Sequence, residues 1–327
     1  MIVSSAPLRV SFAGGGSDYK SYYEKHGGSV FGSAIDKRVY IFINNLSHIS
    51  DENIRFTYRY TESVQKIQEI KHPVVREALK YFDVSGRINI ATMADLPGKS
   101  GLGSSSAFTV ALVGGLSRFI NRDLSQSEIV NISYMIEREV LKEPGGIQDH
   151  LHAVYGGMRL YKLSENGVIV SDSFLNPALE KISQLNFLLK KIGNQRESRV
   201  SAARTQMYGE SGDISIAQTA HQAILLSQNL KEAGSDASAL ALFSTALNES
   251  WKSKKVFQNS FTSEADREIK DLLTSGALGA KICGAGESGF ILVSGAEPYI
   301  QKIRTSLDES KYVNLKFSHE GLVVSKL

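Results

Sequence analysis

Three serines, Ser104, Ser105 and Ser106, directly follow Gly101-Leu102-Gly103, and Lys99 stands just upstream. Glycines allow turns in which backbone amides face inward. A Gly-rich turn that feeds a helix N-terminus gathers free N–H groups and the helix dipole at one point. Such a point holds an anion, a phosphate above all. Lys99 adds positive charge, and the serine hydroxyls can reach a metal ion. The plainer alternative is a flexible Gly/Ser turn before a core helix. Arg9 and Asp18 flank another Gly-rich loop, Gly14-Gly15-Gly16-Ser17, the first in chain order, either as ligand contacts or as a surface salt bridge across a tight turn. Glu137 adjoins an apolar helical stripe, where a carboxylate needs a partner or carries a desolvation cost; alone, it reads as a solvated or paired helix residue. Asp149 follows Pro144-Gly145-Gly146, a fixed turn that presents it at a helix start, as a working carboxylate or as an N-cap. His150 and His152 lack the Cys or acidic spacing of a zinc site and read as ordinary polar residues.

These residues need elements to hold them. Residues 2–13 read as a strand, with Pro7 at an edge or entry, that runs into the first Gly-rich loop. Ser29–Ile35 and Arg38–Asn44 read as a strand pair, residues 53–60 as a half-exposed strand, residues 73–82 as a helix, and Gly86–Thr92 as the strand leading to Pro97 and Gly98. The proline-free apolar run from Ala107 to Leu116 predicts a buried helix from about Ser105 to Ile120, with a serine capping its start. Ser125-Gln126-Ser127-Glu128 is a capping box and opens a helix to about Leu141. Two strands span residues 157–174 around the turn at 164–167. The second half is mainly helical, at about 198–208, 214–233, 236–255 and 263–275. Strands at 280–283, 290–294 and 313–325 and a helix near 297–309 are interspersed with it. A division near residue 185 gives segments 1–185 and 186–327.

Two well-known phosphate motifs do not fit. A P-loop ending at Gly98-Lys99-Ser100 would need glycine where Met93 stands. Gly284-Ala285-Gly286-Glu287-Ser288-Gly289 has the dinucleotide string but apolar strand-like flanks on both sides, so it reads as a Gly-rich connection between strands. The 37 basic and 34 acidic residues of this 327-residue chain leave a net charge of +3 without a long basic run, which argues against nucleic acid as a partner and is compatible with anionic small molecules. Cys283 is the single cysteine, so an intramolecular disulfide is excluded and a reducing compartment is expected. No segment approaches the roughly 20 apolar residues of a membrane helix, and no basic-then-apolar N-terminus suggests a signal peptide. The expectation is a cytoplasmic protein with no membrane partner.

Three ordered stretches resemble one family. Ala6–Asp18, Pro97–Ser106 and Lys281–Gly286 are similar, in this order, to the three motifs of the GHMP kinase superfamily, and the resemblance spans nearly the whole chain. Within it, Ala13–Asp18, Tyr22–Gly28, Ala34–Lys37, Gly101–Val110 and Glu249–Lys255 look most like the D-glycero-D-manno-heptose 7-phosphate kinase-like sugar kinases. The resemblance implies an α+β fold of two domains: a ribosomal protein S5 domain 2-like N-terminal domain and a ferredoxin-like C-terminal domain, with the active site between them. It implies ATP and Mg²⁺ as cofactors and a small sugar phosphate as partner, and it is compatible with a homodimer.

By the same resemblance Pro97, Gly98, Lys99, Ser100, Gly101, Leu102, Gly103, Ser104, Ser105 and Ser106 hold the ATP phosphates. Ser105, with Ser104 as a neighbouring alternative, and Glu137 approach the metal. Asp149 matches the catalytic aspartate, and Arg9 belongs with it. Gly14, Gly15, Gly16, Ser17 and Asp18, with Gly284, Ala285 and Gly286, lie on the substrate side. Gly98-Lys99 and Glu287-Ser288 depart from the second and third motifs.

The chemistry is coherent. Phosphoryl transfer needs positioning, charge neutralisation and a proton acceptor; Mg²⁺ takes oxygen ligands; Asp149 can accept or orient a hydroxyl proton; Arg9 can stabilise charge on the phosphate. The implied reaction is transfer to the anomeric hydroxyl of a heptose 7-phosphate, giving a 1,7-bisphosphate that leads to nucleotide-activated heptose and surface polysaccharide. A free sugar such as fucose or galactose, a mevalonate-like alcohol, or non-catalytic sugar sensing are the alternatives. Lys37, Arg38, Arg199 and Arg204 are candidates for the acceptor's own phosphate.

Overall fold

A computed structural model describes residues 1–84, 86–98, 100–193, 210–257, 263–284, 289–306 and 311–327. The first half runs β1 (Ile2–Ala13), α1 (Lys20–His26), β2 (Gly28–Asn45), β3 (Ile54–Thr57), β4 (Thr61–Val64), α2 (Pro73–Tyr81), β5 (Ile88–Ala94) and α3 (Ser104–Phe119). Next come α4 (Gln126–Tyr134), α5 (Gln148–Tyr155), β6 (Met158–Ser164), β7 (Gly167–Val170), α6 (Pro177–Asn186) and β8 (Phe187–Ile192). The described order ends with α7 (Glu210–Glu232), α8 (Asp236–Phe257), α9 (Ser263–Thr274), β9 (Gly279–Ile282), β10 (Gly289–Ser294), α10 (Glu297–Ser306), β11 (Tyr312–Asn314) and β12 (Val323–Lys326). The expected helix at 198–208 lies outside the described residues.

The architecture is mixed α+β, as the resemblance implies. One sheet has eight strands in the order β12-β1-β2-β5-β3-β4, with β6 also on β2 and β7 on β6. A second has four antiparallel strands, β11-β8-β10-β9. The Gly-rich connection at residue 284 joins β9 to β10, two antiparallel neighbours, which is the arrangement the apolar flanks predict.

Three expectations change. Asp36 and Lys37 do not turn the chain, and β2 is one strand of 18 residues. Its register on β1 slips there, from Pro7 opposite Arg38 to Arg9 opposite Ala34. The extra residues bulge outward, and Asp36 fastens them to Lys316 by hydrogen bonds of 2.8 and 3.0 Å. Residues 313–325 are not one strand. β11 joins the small sheet, and the chain then crosses to the large one, where β12 pairs with β1. The Arg38 guanidinium holds the crossing by donating to Gly321 O at 2.7 Å. Helices α1 and α6 stand where no element was expected; α6 opens on Asn176, whose side chain accepts from Leu179 N, with proline at the first turn.

One apolar core spans both sheets. Phe12 of β1 meets Phe187 of β8, Phe243 of α8 and Phe317 at ring-centroid distances of 6.4, 4.8 and 5.5 Å. Helix α3 lies on β1 and β2 and is buried on nearly every side, as an apolar helix without a polar face must be. These contacts set β1, the start of α3 and the ends of α8 and β9 around one space.

Candidate active site

Arg9 emerges from β1 beside the second Gly-rich segment, and its backbone N–H donates to Leu102 O at 3.0 Å. Its guanidinium donates to Gly101 O at 2.8 Å and meets Asp149 through Nε at 2.7 Å and Nη2 at 2.6 Å. Both contacts fall on Oδ1, and no hydrogen bond among the described residues engages Oδ2. Arg9 and Asp18 are not a surface pair. Both are buried, and Arg9 pairs with Asp149 rather than with Asp18. Asp149 is not an N-cap either. It is the second residue of α5, whose cap position is Ile147.

Asp18 turns inward to accept from Gly16 N at 3.1 Å and Gln148 N at 3.4 Å. Burial pushes its carboxyl up from the usual range, the Asp149 charge adds to this, and the backbone donors oppose it. The 144–147 turn lies against this carboxyl. A Cβ on Gly146 would come within 1.9 Å of Asp18 Oδ2. Gly146→Ala is therefore expected to lose about 2 kcal/mol of stability, typical of overpacking, seen as a lower midpoint in urea denaturation. An unchanged midpoint would show that the turn moves aside freely.

The serines act differently from the expectation. Helix α3 is capped by Gly103 in the left-handed conformation with no side-chain bond. Ser105 and Ser106 lie inside the first turn, and their hydroxyls donate to Glu137 Oε1 at 2.5 Å and Oε2 at 2.8 Å. A carboxylate is the stronger acceptor for such donors. Glu137 is fully buried on a π-helical turn, Met135–Val140, that continues α4. Such turns re-aim a side chain within a helix.

His150 Nε2 lies 2.8 Å from Glu137 Oε2, and Arg138 Nη2 lies 3.6 Å from the same oxygen and donates to Ser106 Oγ at 3.2 Å. Burial alone would raise the Glu137 carboxyl. Its contacts with His150, Arg138 and Ser105 outweigh this and hold it well below the usual range. His150 is thus no ordinary polar residue: α5 turns it inward and buries it completely against Glu137. His152, two residues on and on the other side of α5, is also fully buried and packs on Tyr161. Burial and the nearby Arg9 and Arg159 charges push its imidazole well below the usual range.

These groups surround a cavity of about 300 Å³. Arg9, Gly15, Gly16, Asp18, Gly101, Gly103, Ser104, Ser105, Ser106, Asp149 and Gly284 line it, while Glu137 stands behind the serine hydroxyls. Pro97, Gly98, Ser100, Leu102, Gly14 and Ser17 do not line it. Leu102 is core, and Ser17 Oγ donates to Gly14 O at 2.7 Å to shape the first loop. Lys99, Ala285, Gly286, Glu287, Arg199 and Arg204 lie outside the described residues. Lys37 pairs with Asp36, and Arg38 with backbone carbonyls of Ser5 and Gly321, away from the cavity. The second and third Gly-rich segments touch: Gly101 and Gly284 have φ of 74° and 68°, and a Cβ on Gly284 would come within 2.4 Å of Gly101 Cα.

Sequence reasoning missed Arg138, Gln148, Thr219, Ser250, Lys254 and Lys281 as cavity residues. Thr219 Oγ1 accepts from Gly14 N at 2.9 Å, which fastens α7 to the first loop, and Ser250 Oγ donates to Phe12 O at 2.8 Å, which fastens α8 to the end of β1. Lys281 Nζ donates to Ser11 O and Phe12 O at 3.1 and 3.3 Å, and Lys254 Nζ donates to Gly284 O. Burial pushes the Lys254 ammonium down to about 7, with the Lys281 charge adding to it, and pushes Lys281 to about 8. The resemblance run Glu249–Lys255 contains Lys254, but helical period alone does not mark it.

The arrangement offers an anion-binding helix start, a guanidinium paired with a carboxylate, and an ionised carboxylate that carries two serine hydroxyls on one side and His150 and Arg138 on the other. The serine and carboxylate oxygens of this group are donors that suit Mg²⁺. The GHMP kinases N terminal domain family matches residues 68–157. A D-glycero-alpha-D-manno-heptose 7-phosphate kinase of Campylobacter jejuni is 28% identical over 340 residues, covering 98% of both chains. A mevalonate kinase of Methanothermobacter thermautotrophicus is 24% identical over 332 residues, covering 98% of this chain and 99% of the relative. The crystal structure of a D-glycero-D-manno-heptose 1-phosphate kinase from Bacteriodes thetaiotaomicron superposes with a TM-score of 0.80 at 21% identity, covering 100% of this chain and 99% of that one.

Proposed function

We propose that this chain, which carries the GHMP kinase N-terminal domain over residues 68–157, is an ATP- and Mg²⁺-dependent sugar kinase. Its acceptor is D-glycero-D-manno-heptose 7-phosphate and its product the 1,7-bisphosphate, a precursor of nucleotide-activated heptose made in the cytoplasm. The observation that carries the reading is the Arg9–Asp149 pair, 2.6 Å at its closest, opening on the same cavity as the start of α3. The full-length similarity to a heptose 7-phosphate kinase supports the acceptor.

Each group then has a task. The N–H groups at Gly103–Ser106 and the α3 dipole bind the nucleotide's phosphates. Ser105 and Glu137 would hold Mg²⁺, which when bound neutralises phosphate charge. His150 and Arg138 keep Glu137 ionised and oriented. Asp149 accepts the proton of the attacking hydroxyl at Oδ2, the oxygen Arg9 leaves unbonded. Arg9 fixes that carboxylate and lies close enough to the same space to stabilise charge on the transferring phosphoryl group. Asp18, Gly15 and Gly16 orient the acceptor.

The full-length match to a mevalonate kinase favours a mevalonate-like alcohol as second reading. The test is ³¹P NMR with MgATP and D-glycero-D-manno-heptose 7-phosphate, with free hexoses and mevalonate in parallel. A new anomeric phosphate signal beside the retained 7-phosphate is expected. Transfer to mevalonate or a free sugar alone would keep the kinase and discard the heptose. Tight sugar binding without transfer to any acceptor would overturn catalysis in favour of sensing.

A further inference from the structure

Gln148 lines the cavity directly before Asp149, and no step of the transfer above uses its side chain. It is the first residue of α5 and is 9% exposed. Its backbone N–H donates to Asp18 Oδ2 at 3.4 Å. Its side-chain amide makes no hydrogen bond among the described residues, and the amide oxygen is closed off from solvent as well. Buried amides are nearly always paired, because an unpaired one forfeits the hydrogen bonds that water gave it. A half-turn about the last side-chain bond exchanges the two ends of the amide, so it can give or accept. A ligand hydroxyl, which does both, matches it.

The turn of α5 separates the two ligands that could bring it. Successive residues of an α-helix project about 100° apart. His150 faces Glu137 at 2.8 Å, toward the serines at the start of α3 that receive the nucleotide's phosphates. Asp149 faces Arg9 at 2.6 Å. Gln148 therefore leaves α5 about 200° around from His150, on the side away from those serines. Its backbone bond ties it to Asp18 instead. An amide and a carboxylate from consecutive residues thus open on the same cavity. The carboxylate takes the proton of one hydroxyl, and the amide is placed for a second hydroxyl close to the first. Adjacent carbons of a sugar carry such a pair. A mevalonate-like alcohol has a methylene next to its primary hydroxyl and lacks the second one.

We infer that the Gln148 amide hydrogen-bonds the acceptor hydroxyl next to the one that is phosphorylated, so that the site selects a vicinal diol, a sugar rather than a simple alcohol. This rests on the kinase reading above. For an anomeric acceptor the hydroxyl that is read is the one on C2. Its pairing with Gln148 fixes the ring, and with it the attacking oxygen, against Asp149.

Steady-state kinetics of the whole chain test this, with D-glycero-D-manno-heptose 7-phosphate and its 2-deoxy analogue as acceptors and MgATP varied in parallel. Wild type is expected to lose about 10- to 100-fold in kcat/KM on the analogue, which leaves the amide buried and unpaired. Gln148→Met, of similar volume, should lose a like factor on the heptose and little more on the analogue, so that the preference between the two collapses. Should Gln148→Met not fold, Gln148→Asn, which withdraws the amide by one methylene, carries the same expectation. Equal kcat/KM on both sugars in wild type would overturn the contact and leave the kinase standing. A preference that survives in the variants, with equal losses on both sugars, would also overturn it and give Gln148 a structural task only. A rise confined to the KM for MgATP would overturn it by assigning the amide to the nucleotide. A wild-type chain that phosphorylates no acceptor overturns the reading beneath.

Discussion

Asp149→Asn is expected to reduce turnover by about 10²- to 10⁴-fold, the range for loss of a positioned general base. The substitution keeps the side chain's volume and an oxygen for the Arg9 donors, which now lie 2.6–2.7 Å away. It removes the negative charge and the proton-accepting oxygen. Nucleotide affinity and thermal midpoint should therefore stay near wild type while kcat falls. The measurement is steady-state kinetics beside MgADP titration and calorimetry. Turnover within a few-fold of wild type would remove Asp149 from the proton-accepting role. A collapse of the thermal midpoint would assign it a structural task instead.

The largest stability effect belongs to Glu137→Ala. The carboxylate is fully buried and answers His150, Arg138 and two serine hydroxyls at once. Removing it leaves those groups unpaired, which for a buried ionic cluster costs about 3–5 kcal/mol. In a chain of this size the midpoint should drop by roughly 10 °C. Glu137→Gln fills the same space and keeps one acceptor oxygen, so its loss should be smaller, though turnover should fall because the metal would lose its carboxylate. The pH dependence has a definite sign. A carboxyl held below its ordinary 4.5 in the folded chain contributes stability that is fully present above that value and fades as pH falls below it. The gap in stability between wild type and Glu137→Gln should therefore narrow on acidification below about pH 4.5. A gap that stays constant or widens would contradict an ionised Glu137.

How legible this was depends on sequence distance. Local features were readable: the buried helix after Gly103, the capping box at Ser125, and the strands on either side of Gly284 all follow from short-range period and turn chemistry. The break expected between the strands Ser29–Ile35 and Arg38–Asn44 was not there, because two charged residues inside a strand interrupt its pattern unless the partner strand is known. Here Lys316, remote in sequence, turns it into a bulge. The site shows the same limit. Arg9 and Asp149 were each visible as chemistry and the resemblance set them together, but nothing local in the sequence gives their contact across 140 positions. A serine was expected to cap α3, because nothing local shows Glu137 as the acceptor for Ser105 and Ser106. His150 looked polar because burial on α5 depends on which face packs against the π-turn. Lys254 was hidden among ordinary basic residues at a helix end. A cation turned toward a cavity and one turned toward water have the same sequence.

The span of the Arg9–Asp149 contact has a kinetic consequence. Bringing residues 140 positions apart into one ion pair requires closing a long loop, and Lys281 reaches β1 across 270 positions to Ser11. Contacts of such separation form late, because their entropic cost falls due before their reward. Helices α3 and α8 can gain structure earlier from local bonds, yet neither carries a working site alone. Recovery of activity after dilution from denaturant should therefore trail recovery of helical signal, and the cavity is among the last features of the chain to mature.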